Sequence, residues 1–172
     1  MKKIAIISDT HSFIDEKIYN LIADCDEIWH AGDFGFSNQI QNFIKKYNIK
    51  GVHGNIDGNT IRSLYPKITK FTCEGVKVLI IHIGGYPKKY KPEIIEEIKT
   101  YKPDLYICGH SHILKIMYDN DYKLLHINPG AAGKEGFHKQ KTIVLLEIQN
   151  TKIKNIKVAD LGPRVKLTKS IN

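Results

Sequence analysis

The chain has few cysteines, and their number and spacing argue against two kinds of cysteine-based site. Only three occur among 172 residues, and no two of them form a C-x-x-C pair. An odd and widely spaced set gives no basis for a disulfide framework or a zinc-thiolate site. We therefore expect Cys25, Cys73 and Cys108 to be buried, inert thiols.

Long apolar runs are also missing. The runs at 4–7 and 78–81 are as short as strands, far below the roughly 20 apolar residues that span a bilayer. The first run follows two lysines and ends at polar Ser8 and Asp9, which leaves no apolar segment of the kind found in signal peptides. We therefore expect a cytoplasmic protein with no membrane partner.

The net charge of +8 is concentrated toward the end of the chain. Residues 151–172 hold six Lys or Arg against one acid, Asp160, whereas the first 150 residues are nearly balanced. Such a surface can touch nucleic acid or another polyanion, but no nucleic-acid-binding motif accompanies it. We interpret it as a solvated hairpin and tail. The length suits one domain, predicted at 1–160, followed by a basic tail at 161–172.

The hydrophobic pattern predicts a mixed α/β domain with two packed sheets. In the first half, strands alternate with helices, which implies parallel pairing with helices on the sheet face. The second half is richer in strands and has one helix that begins at a proline. The predicted strands are 3–8, 27–30, 50–53, 69–73, 76–82, 104–108, 113–118, 122–127, 142–149 and 152–158, and the predicted helices are 13–23, 38–47 (after a Ser37 cap) and 92–101.

Polar side chains follow five of these strands. The carboxyl ends of parallel strands meet at one edge of a sheet, where ligands bind. In extended backbone, residues i and i+2 point to the same side, so one strand end can present two ligands. Glycines precede three of the polar residues and permit tight turns or leave room close to the backbone. The candidate ligands are Asp9, His11, Asp33, Asn55, His82, His110 and His112.

These residue types indicate a metal centre. Any one of the histidines alone would more often be an ordinary core or surface residue, but seven such groups at strand ends are hard to obtain by chance. Imidazole with carboxylate suits Zn, Mn, Fe, Co or Ni better than Ca or Mg. Seven ligands are too many for one ion. They suit two ions about 3.5–4 Å apart that share a bridging carboxylate, a geometry used for in-line attack at phosphorus.

The ordered motifs resemble those of the calcineurin-like metallophosphoesterase superfamily. They read Asp-x-His, Gly-Asp, Gly-Asn-x-Asp, His and Gly-His-x-His. The short length and the turn at 128–130 are similar to its small YfcE-like prokaryotic phosphodiesterase branch. The resemblance covers residues 1 to about 160. It implies an α/β fold, a four-layer αββα sandwich of two mixed β-sheets flanked by helices, with metals at the sheet edge.

The resemblance also implies the role of each candidate. Asp33 would bridge two ions, Asp33 and Asn55 would act in catalysis, and a metal-bridging hydroxide would attack phosphorus. The expected cofactors are two divalent ions, Mn first, with Ni, Fe, Zn, Co or Mg as alternatives. The expected ligands are Asp9, His11 and His112 for the first ion, and Asn55, His82 and His110 for the second.

Two positions depart from the family pattern. Ile56 stands where many members have a histidine that contacts the phosphoryl group and protonates the leaving oxygen. The loop at 83–90 replaces a common glycine after His82, and it either shapes substrate access, with Lys88, Lys89 and Tyr90 offered to an anion, or is a solvated basic loop. Four further histidines lie off the family positions: His30, His53 and His126 are expected to pack or support the site, and His138 is a loop residue that could approach substrate.

The predicted function is hydrolysis of a small phosphate ester by a metal-dependent phosphodiesterase. A phosphomonoesterase would share the metal chemistry and differ only in how its pocket treats the second ester group. A non-catalytic metal-binding scaffold is an alternative of another class, since the retromer scaffold subunit has this fold. A nucleic-acid-binding module rests only on the basic tail and is not expected. A homo-oligomer is left open.

Overall fold

Two five-stranded sheets and four short helices make up the part of the chain that the computed structural model describes, residues 1–165. None of the helices in that range is long and apolar enough to cross a membrane. The elements are β1 (Lys2–Ile7), α1 (Glu16–Leu21), β2 (Glu27–His30), α2 (Asn38–Lys46), β3 (Ile49–Gly51), α3 (Asn59–Leu64), β4 (Ile68–Cys73), β5 (Val76–Ile81), α4 (Pro92–Tyr101), β6 (Leu105–Ile107), β7 (Lys115–Asp119), β8 (Leu124–Asn128), β9 (Gln140–Gln149) and β10 (Lys152–Pro163).

Both sheets are mixed, and each has parallel strands at its centre. The first has the order β10-β9-β1-β2-β3, and the second has the order β4-β5-β6-β8-β7. β1, β2 and β3 pair in parallel, as the alternation of strands and helices predicts, while β9 runs antiparallel to β1. β5, β6 and β8 are parallel in the second sheet. The carboxyl ends of β1, β2 and β3 therefore share one edge of the first sheet, and those of β5 and β6 share one edge of the second.

The core lies in three layers between four layers of secondary structure. β1 shows why: Ile4 and Ile6 face the second sheet, whereas Ala5 and Ile7 face the helices. A strand buried on both faces reads as a continuous apolar run rather than an alternating one. α1, α2 and α3 supply apolar side chains to the outer core of the first sheet, and α4 covers the second. This confirms the αββα sandwich.

Several element boundaries differ from the predicted ones. α1 begins at Glu16 rather than at residue 13, because Asp15 caps it and accepts a hydrogen bond from the Lys17 amide at 3.1 Å. α3 was not predicted at all. It has six residues and buries only Ile61, too little to give a periodic signal. α2 follows its Ser37 cap as predicted.

The last strand of the described chain is longer than predicted. β10 pairs with β9 through Pro163, five residues beyond the predicted end of the hairpin at 158. Of the predicted basic tail at 161–172, residues 166–172 lie outside the described residues. Cys73 and Cys108 are buried as predicted, whereas Cys25 is half-buried.

A nearly buried ion pair ties the start of α1 to β9. The ammonium of Lys141 contacts the carboxylate of Asp15, and the two side chains are 6% and 15% exposed. Burial on its own would raise the pKa of Asp15, but the hydrogen bond and charge of Lys141 outweigh it and hold that pKa below its ordinary value. The pair therefore stabilises the folded state wherever Asp15 is ionised.

We expect Asp15→Asn to destabilise the protein by roughly 2–3 kcal/mol at pH 7, below the 3–5 of a fully enclosed pair. The amide still caps α1, so the loss reports the charge left on Lys141. Since the folded-state pKa of Asp15 is depressed, its contribution is present above the unfolded pKa of 3.8 and is lost as pH falls through the folded value. Urea unfolding at pH 7 and pH 3 measures it. Exposed Asp24→Asn is the matched control, and equal stability of the two variants at pH 7 would contradict the prediction.

Candidate metal centre

The seven predicted ligands converge at one edge of the sandwich. Each follows the carboxyl end of a parallel strand, namely β1, β2, β3, β5 or β6. Two sets of three residues each place one ligand atom per residue within 4.8 Å of the others. The first donor group is Asp9, His11 and His112, and the second donor group is Asp33, His82 and His110.

In the first donor group, two imidazoles meet beside a buried carboxylate. His112 Nε2 lies 3.3 Å from Asp9 Oδ1 and 3.3 Å from His11 Nε2. His11 Nε2 is 4.0 Å from the same oxygen of Asp9. Asp9 is fully buried, and its two carboxylate oxygens also accept from the His110 amide at 3.2 and 3.1 Å. The strand ends of β1 and β6 are therefore held together through this carboxylate.

In the second donor group, a side-chain amide joins the set. Asn55 Oδ1 lies 3.0 Å from His82 Nε2 and 2.9 Å from His110 Nδ1. Asp33 Oδ2 lies 3.3 Å from His82 Nε2 and 3.7 Å from His11 Nε2, so it faces both donor groups. The other oxygen of Asp33 accepts from the Ile56 amide at 3.0 Å. Oδ1 of Asp33 is thereby held by a backbone amide, whereas Oδ2 lies between the two donor groups.

Most of the ligands sit in left-handed backbone. The φ angles of Asp9, His11, Asp33, His110 and His112 are 53°, 46°, 55°, 67° and 57°. The prediction that they project from extended backbone at i and i+2 is therefore wrong, although the pairs do converge. Non-glycine residues in this region cost of order 1 kcal/mol or more each. Backbone bonds across the edge offset that cost, including Asp9 N to Gly32 O and His11 N to Asp33 O, both at 3.0 Å.

The glycines before three of the ligands serve two different purposes. Gly32 has a φ of 100°, and a Cβ there would lie 2.6 Å from His82 Nδ1. Gly54 and Gly109 have no such φ, and a Cβ at either would overlap or crowd a ligand carboxylate, that of Asp33 or Asp9. Of the three, only Gly32 requires glycine for its positive φ, whereas all three positions require glycine because there is no space for a Cβ.

Hydrogen bonds outside the donor groups fix which nitrogen is free in the rings of His82 and His112. His82 Nδ1 lies 2.7 Å from Ala31 O, and a carbonyl only accepts, so Nδ1 carries the proton and Nε2 holds the unshared pair in the neutral ring. His138 Nε2 bonds Gly133 O at 3.0 Å in the same way. Its Nδ1 then accepts from His112 Nδ1 at 3.3 Å, which leaves His112 Nε2 unprotonated and facing Asp9.

This arrangement fits divalent cations. His82 Nε2 and Asn55 Oδ1 face each other at 3.0 Å, and His112 Nε2 and Asp9 Oδ1 do so at 3.3 Å, with no hydrogen between the two atoms of either pair in the neutral tautomers. Such atoms repel unless a proton or a cation lies among them. A proton on His82 is one solution: burial lowers the pKa of His82, but its hydrogen bond to Asp33 and the charges of Asp9 and Asp33 more than offset burial and raise it. Mixed nitrogen and oxygen donors are also a set that transition-metal ions favour.

A buried histidine braces the edge from behind. His30 is fully buried and stacks on Phe34 with ring centroids 3.6 Å apart. Its Nδ1 accepts from the Gly32 amide and its Nε2 lies 3.1 Å from the Thr10 hydroxyl, which donates to Phe34 O. Burial lowers the pKa of His30 to about 3, so the ring is neutral at all ordinary pH values. As predicted, His30 is a packing and supporting residue.

Two supporting residues were not predicted. Asp57 is buried and accepts from the amides of Phe34, Gly35 and Gly54 at 3.2, 2.8 and 2.8 Å. Arg62 donates to the carbonyls of Asp57 and Gly54 at 2.6 and 3.1 Å. Together they hold the loop that carries Asn55. The last position of Gly-Asn-x-Asp is the only signal the sequence offers for Asp57, and Arg62 has none.

The departures from the family pattern have clear structural outcomes. Ile56 is 47% exposed, and its backbone amide donates to Asp33 Oδ1. Tyr90, which one of the two interpretations of its loop offered to an anion, is buried with its hydroxyl 3.4 Å from His126 Nδ1, so that part of the interpretation is wrong. Lys88 and Lys89 are exposed, so both readings of their loop remain open. His138 lies against His112 rather than in open space.

A cleft of about 440 Å³ opens beside Asn55 and His82. It lies between the Asn55 loop, the edge of β4 and β5, and the start of α4. His53, whose role was left to packing or support, is half-buried in its wall. We name it the lysine cleft because Lys67 and Lys91 lie on its rim. A larger cavity of about 580 Å³ lies beside Phe13 and Lys141, and none of the seven ligands lines it.

Known proteins resemble the chain in sequence. Residues 1–151 match the family model of the calcineurin-like phosphoesterase superfamily domain. A probable metallophosphoesterase from Mycoplasma pneumoniae is 26% identical over 136 residues, which cover 76% of this chain and 79% of that protein.

Solved structures resemble it in fold. An archaeal phosphodiesterase superposes with a TM-score of 0.68 at 23% identity, over 91% of this chain and 99% of that one. Wild-type Vps29 from Entamoeba histolytica, complexed with zinc, superposes with a TM-score of 0.69 at 15% identity, over 93% of this chain and 99% of that one. At these identities the likeness supports the fold and carries no activity over.

We expect His138→Phe to weaken metal binding by about 10–100-fold, because His112 then loses the acceptor that fixes its tautomer. His138→Gln keeps an acceptor and should recover much of the affinity. Titration calorimetry with Mn²⁺ measures the binding, and ¹⁵N shifts of the imidazole nitrogens report the tautomer directly. Phe137 is fully exposed in the same loop, so Phe137→Ala is the control. Unchanged affinity and unchanged ¹⁵N shifts in His138→Phe would contradict the assignment.

Proposed function

Because the chain belongs to the calcineurin-like phosphoesterase superfamily, we propose that it is a binuclear metal-dependent phosphodiesterase. The observation that carries the proposal is the position of Asp33 Oδ2, which faces a nitrogen of each donor group while Oδ1 is held by the Ile56 amide. A carboxylate held in this way suits a ligand shared by two ions.

The proposed ligands follow from the two donor groups. Asp33 is shared, Asn55 completes the second set through Oδ1, and Mn²⁺ is the proposed ion. Asp9, His11 and His112 would hold one ion, and Asn55, His82 and His110 the other. When bound, two such ions lower the pKa of water and offset the charge that builds on phosphoryl oxygens.

The protein's own groups hold this centre and leave one side of it open. Asp9, Asp33 and His82 are buried, whereas Asn55 and His110 are exposed. Burial, and then the charge of His82, lower the pKa of His110, so its ring is neutral and its nitrogen pair free near pH 7. A substrate phosphoryl group therefore approaches on the side of Asn55 and His110.

Asn55 has a further role on that open side. Its Oδ1 is turned toward His82 and His110, so its amide nitrogen points the other way. Within residues 1–165, that nitrogen donates to no other group. It is placed to donate to a phosphoryl oxygen, and such a donor stabilises the charge that develops as the ester bond breaks.

One feature favours a diester over a monoester as substrate. The lysine cleft begins at Asn55 and His82 and leaves room for a second ester group beside the reacting phosphorus. A separate feature bears on the leaving group of either ester: Ile56 supplies no acid to the leaving oxygen, and both nitrogens of His138 are engaged by His112 and Gly133. Hydrolysis would then depend on leaving groups that depart without a proton from the protein.

The decisive experiment compares bis(4-nitrophenyl) phosphate with 4-nitrophenyl phosphate on Mn²⁺-loaded protein of measured metal content. We expect about two ions per chain and a higher kcat/KM for the diester. A reversed preference would favour the phosphomonoesterase. Bound metal with hydrolysis of neither ester would favour a non-catalytic metal-binding scaffold.

We expect Asp33→Asn to cost more activity than His11→Ala at saturating Mn²⁺. The first change removes a negative charge that both ions would share, whereas the second removes one neutral ligand of one ion. Kinetics with metal content measured for each variant separate loss of turnover from loss of metal. An Asp33→Asn variant that retains most of the wild-type kcat would rule out a shared ligand.

We also expect the rate to depend steeply on the pKa of the leaving group, because neither Ile56 nor His138 can donate a proton to it. General acid catalysis is typically worth about 10²–10⁴-fold, so aryl diesters should turn over readily and alkyl diesters slowly. A graded series at fixed pH and metal gives the slope. Ile56→His places an imidazole at the exposed position and should flatten the slope, with Ile56→Gln as the matched polar control. A flat profile in the unsubstituted protein, with chemistry rate-limiting, would contradict this.

A further inference from the structure

The lysine cleft has apolar walls although it begins at a cluster of polar ligands. Its walls include Ile68, Ile81, Ile83 and Ile94. Ile81 and Ile94 are nearly buried, while Ile68 and Ile83 are half-buried and present surface to the cleft. Moving an apolar group from water into a site with apolar walls is favourable by roughly 25 cal/mol per Å² of apolar surface buried. The volume of about 440 Å³ exceeds what a methyl ester needs and admits an aromatic ring.

The rim of the cleft is positively charged, and part of that charge is uncommitted. Arg62 is engaged by the carbonyls of Asp57 and Gly54. Glu97, an acid on the rim, is neutralised by Lys70 at 2.5 Å. The ammonium groups of Lys67 and Lys91 have no hydrogen-bond or ion-pair partner among residues 1–165, and Glu93 is the one acid of the lining left without a cation there. Two ammonium groups thus face an apolar slot with a net positive field.

We propose that the lysine cleft binds the second ester group of the substrate, and that this group combines an aromatic-sized apolar body with a negative charge recognised by Lys67 and Lys91. The proposal rests on the phosphodiesterase function and adds its substrate class. The apolar body lies against the isoleucine walls, and the distal anion reaches the rim. The phosphorus stays at Asn55 and His82, where the cleft begins.

The larger cavity does not compete for this role. Its buried cation, Lys141, is already paired with Asp15, and the ammonium of Lys134 lies 3.8 Å from the centre of the Phe13 ring. None of the seven ligands lines that cavity.

The test uses four diesters with one common leaving group, 4-nitrophenol, so that the chemistry is constant. The second group is methyl, phenyl, 4-carbamoylphenyl or 4-carboxyphenyl. We expect phenyl to exceed methyl in kcat/KM by at least about tenfold, since it buries several more carbons. We expect kcat/KM for the 4-carboxyphenyl ester to exceed that for the 4-carbamoylphenyl ester by about two- to fivefold per lysine. The difference should come from a lower KM rather than a higher kcat, and it should shrink in high salt.

The variant Lys67→Gln/Lys91→Gln should bring the carboxylate-to-carbamoyl ratio to about one. Lys45→Gln/Lys99→Gln is the matched control, because it removes the same charge from exposed lysines of α2 and α4 outside the cleft and should leave the ratio unchanged. Equal kcat/KM for methyl and phenyl esters would overturn the apolar part. A ratio that survives the double variant, or that falls equally in the control, would overturn the charged part.

A binding measurement separates this proposal from the proposed function. Calorimetry of Mn²⁺-loaded protein with 4-carboxyphenyl phosphate and 4-carbamoylphenyl phosphate needs no turnover. If no diester is hydrolysed but the carboxylate binds more tightly, and this preference is lost in Lys67→Gln/Lys91→Gln, the function fails and the site stands. If diesters are hydrolysed and the two ligands bind equally, the site fails and the function stands.

Discussion

The structure depends on one constraint: polar atoms from five strand ends are brought close together at one edge of the sandwich. Where both atoms are acceptors, as for His82 Nε2 with Asn55 Oδ1 and for His112 Nε2 with Asp9 Oδ1, they repel each other unless a proton or a cation lies between them. Isolated elements would not adopt such an arrangement, because each would be more stable with its polar group in water. The parallel strands of both sheets impose it, and the bonds of Asp57, His30 and His138 hold the loops in place.

The same constraint accounts for the unusual backbone at this edge. Left-handed residues are disfavoured singly, yet Asp9, His11 and Asp33 adopt this conformation within one patch. Each follows a strand, and a backbone group of each is held by a hydrogen bond, Asp9 N to Gly32 O and His11 N to Asp33 O. The three core layers supply the stability that offsets the cost of this edge. We therefore expect substitutions at the edge to relax the backbone and gain stability while they lose binding, the trade-off common at functional sites.

The sequence was sufficient for the fold class and for the membership of the cluster, and less so for its geometry. Strand ends could be read because β1 and β5 are short, apolar and followed at once by polar residues. The ligands' turns could not, because His110 and His112 are held by contacts with Asp9 and His11, in the loop after β1, rather than by local preference. α3 buries one residue and gave no period. Arg62 acts on the backbone of a loop, and His138 acts on His112, which is distant in the chain. No local sequence pattern predicts either contact.

The burial of the ligands is asymmetric, and this asymmetry links the constraint to function. Asp9, Asp33 and His82 are sealed behind the edge, where charge interacts strongly and the side chains cannot rearrange. Asn55 and His110 lie on the open side, next to a cleft whose apolar walls exclude water on one flank. A site built only to bind metal could be closed on all sides, as structural metal sites are. Here the charged ligands are buried on one side and the cleft opens on the other, which is the form of a site that a substrate must enter.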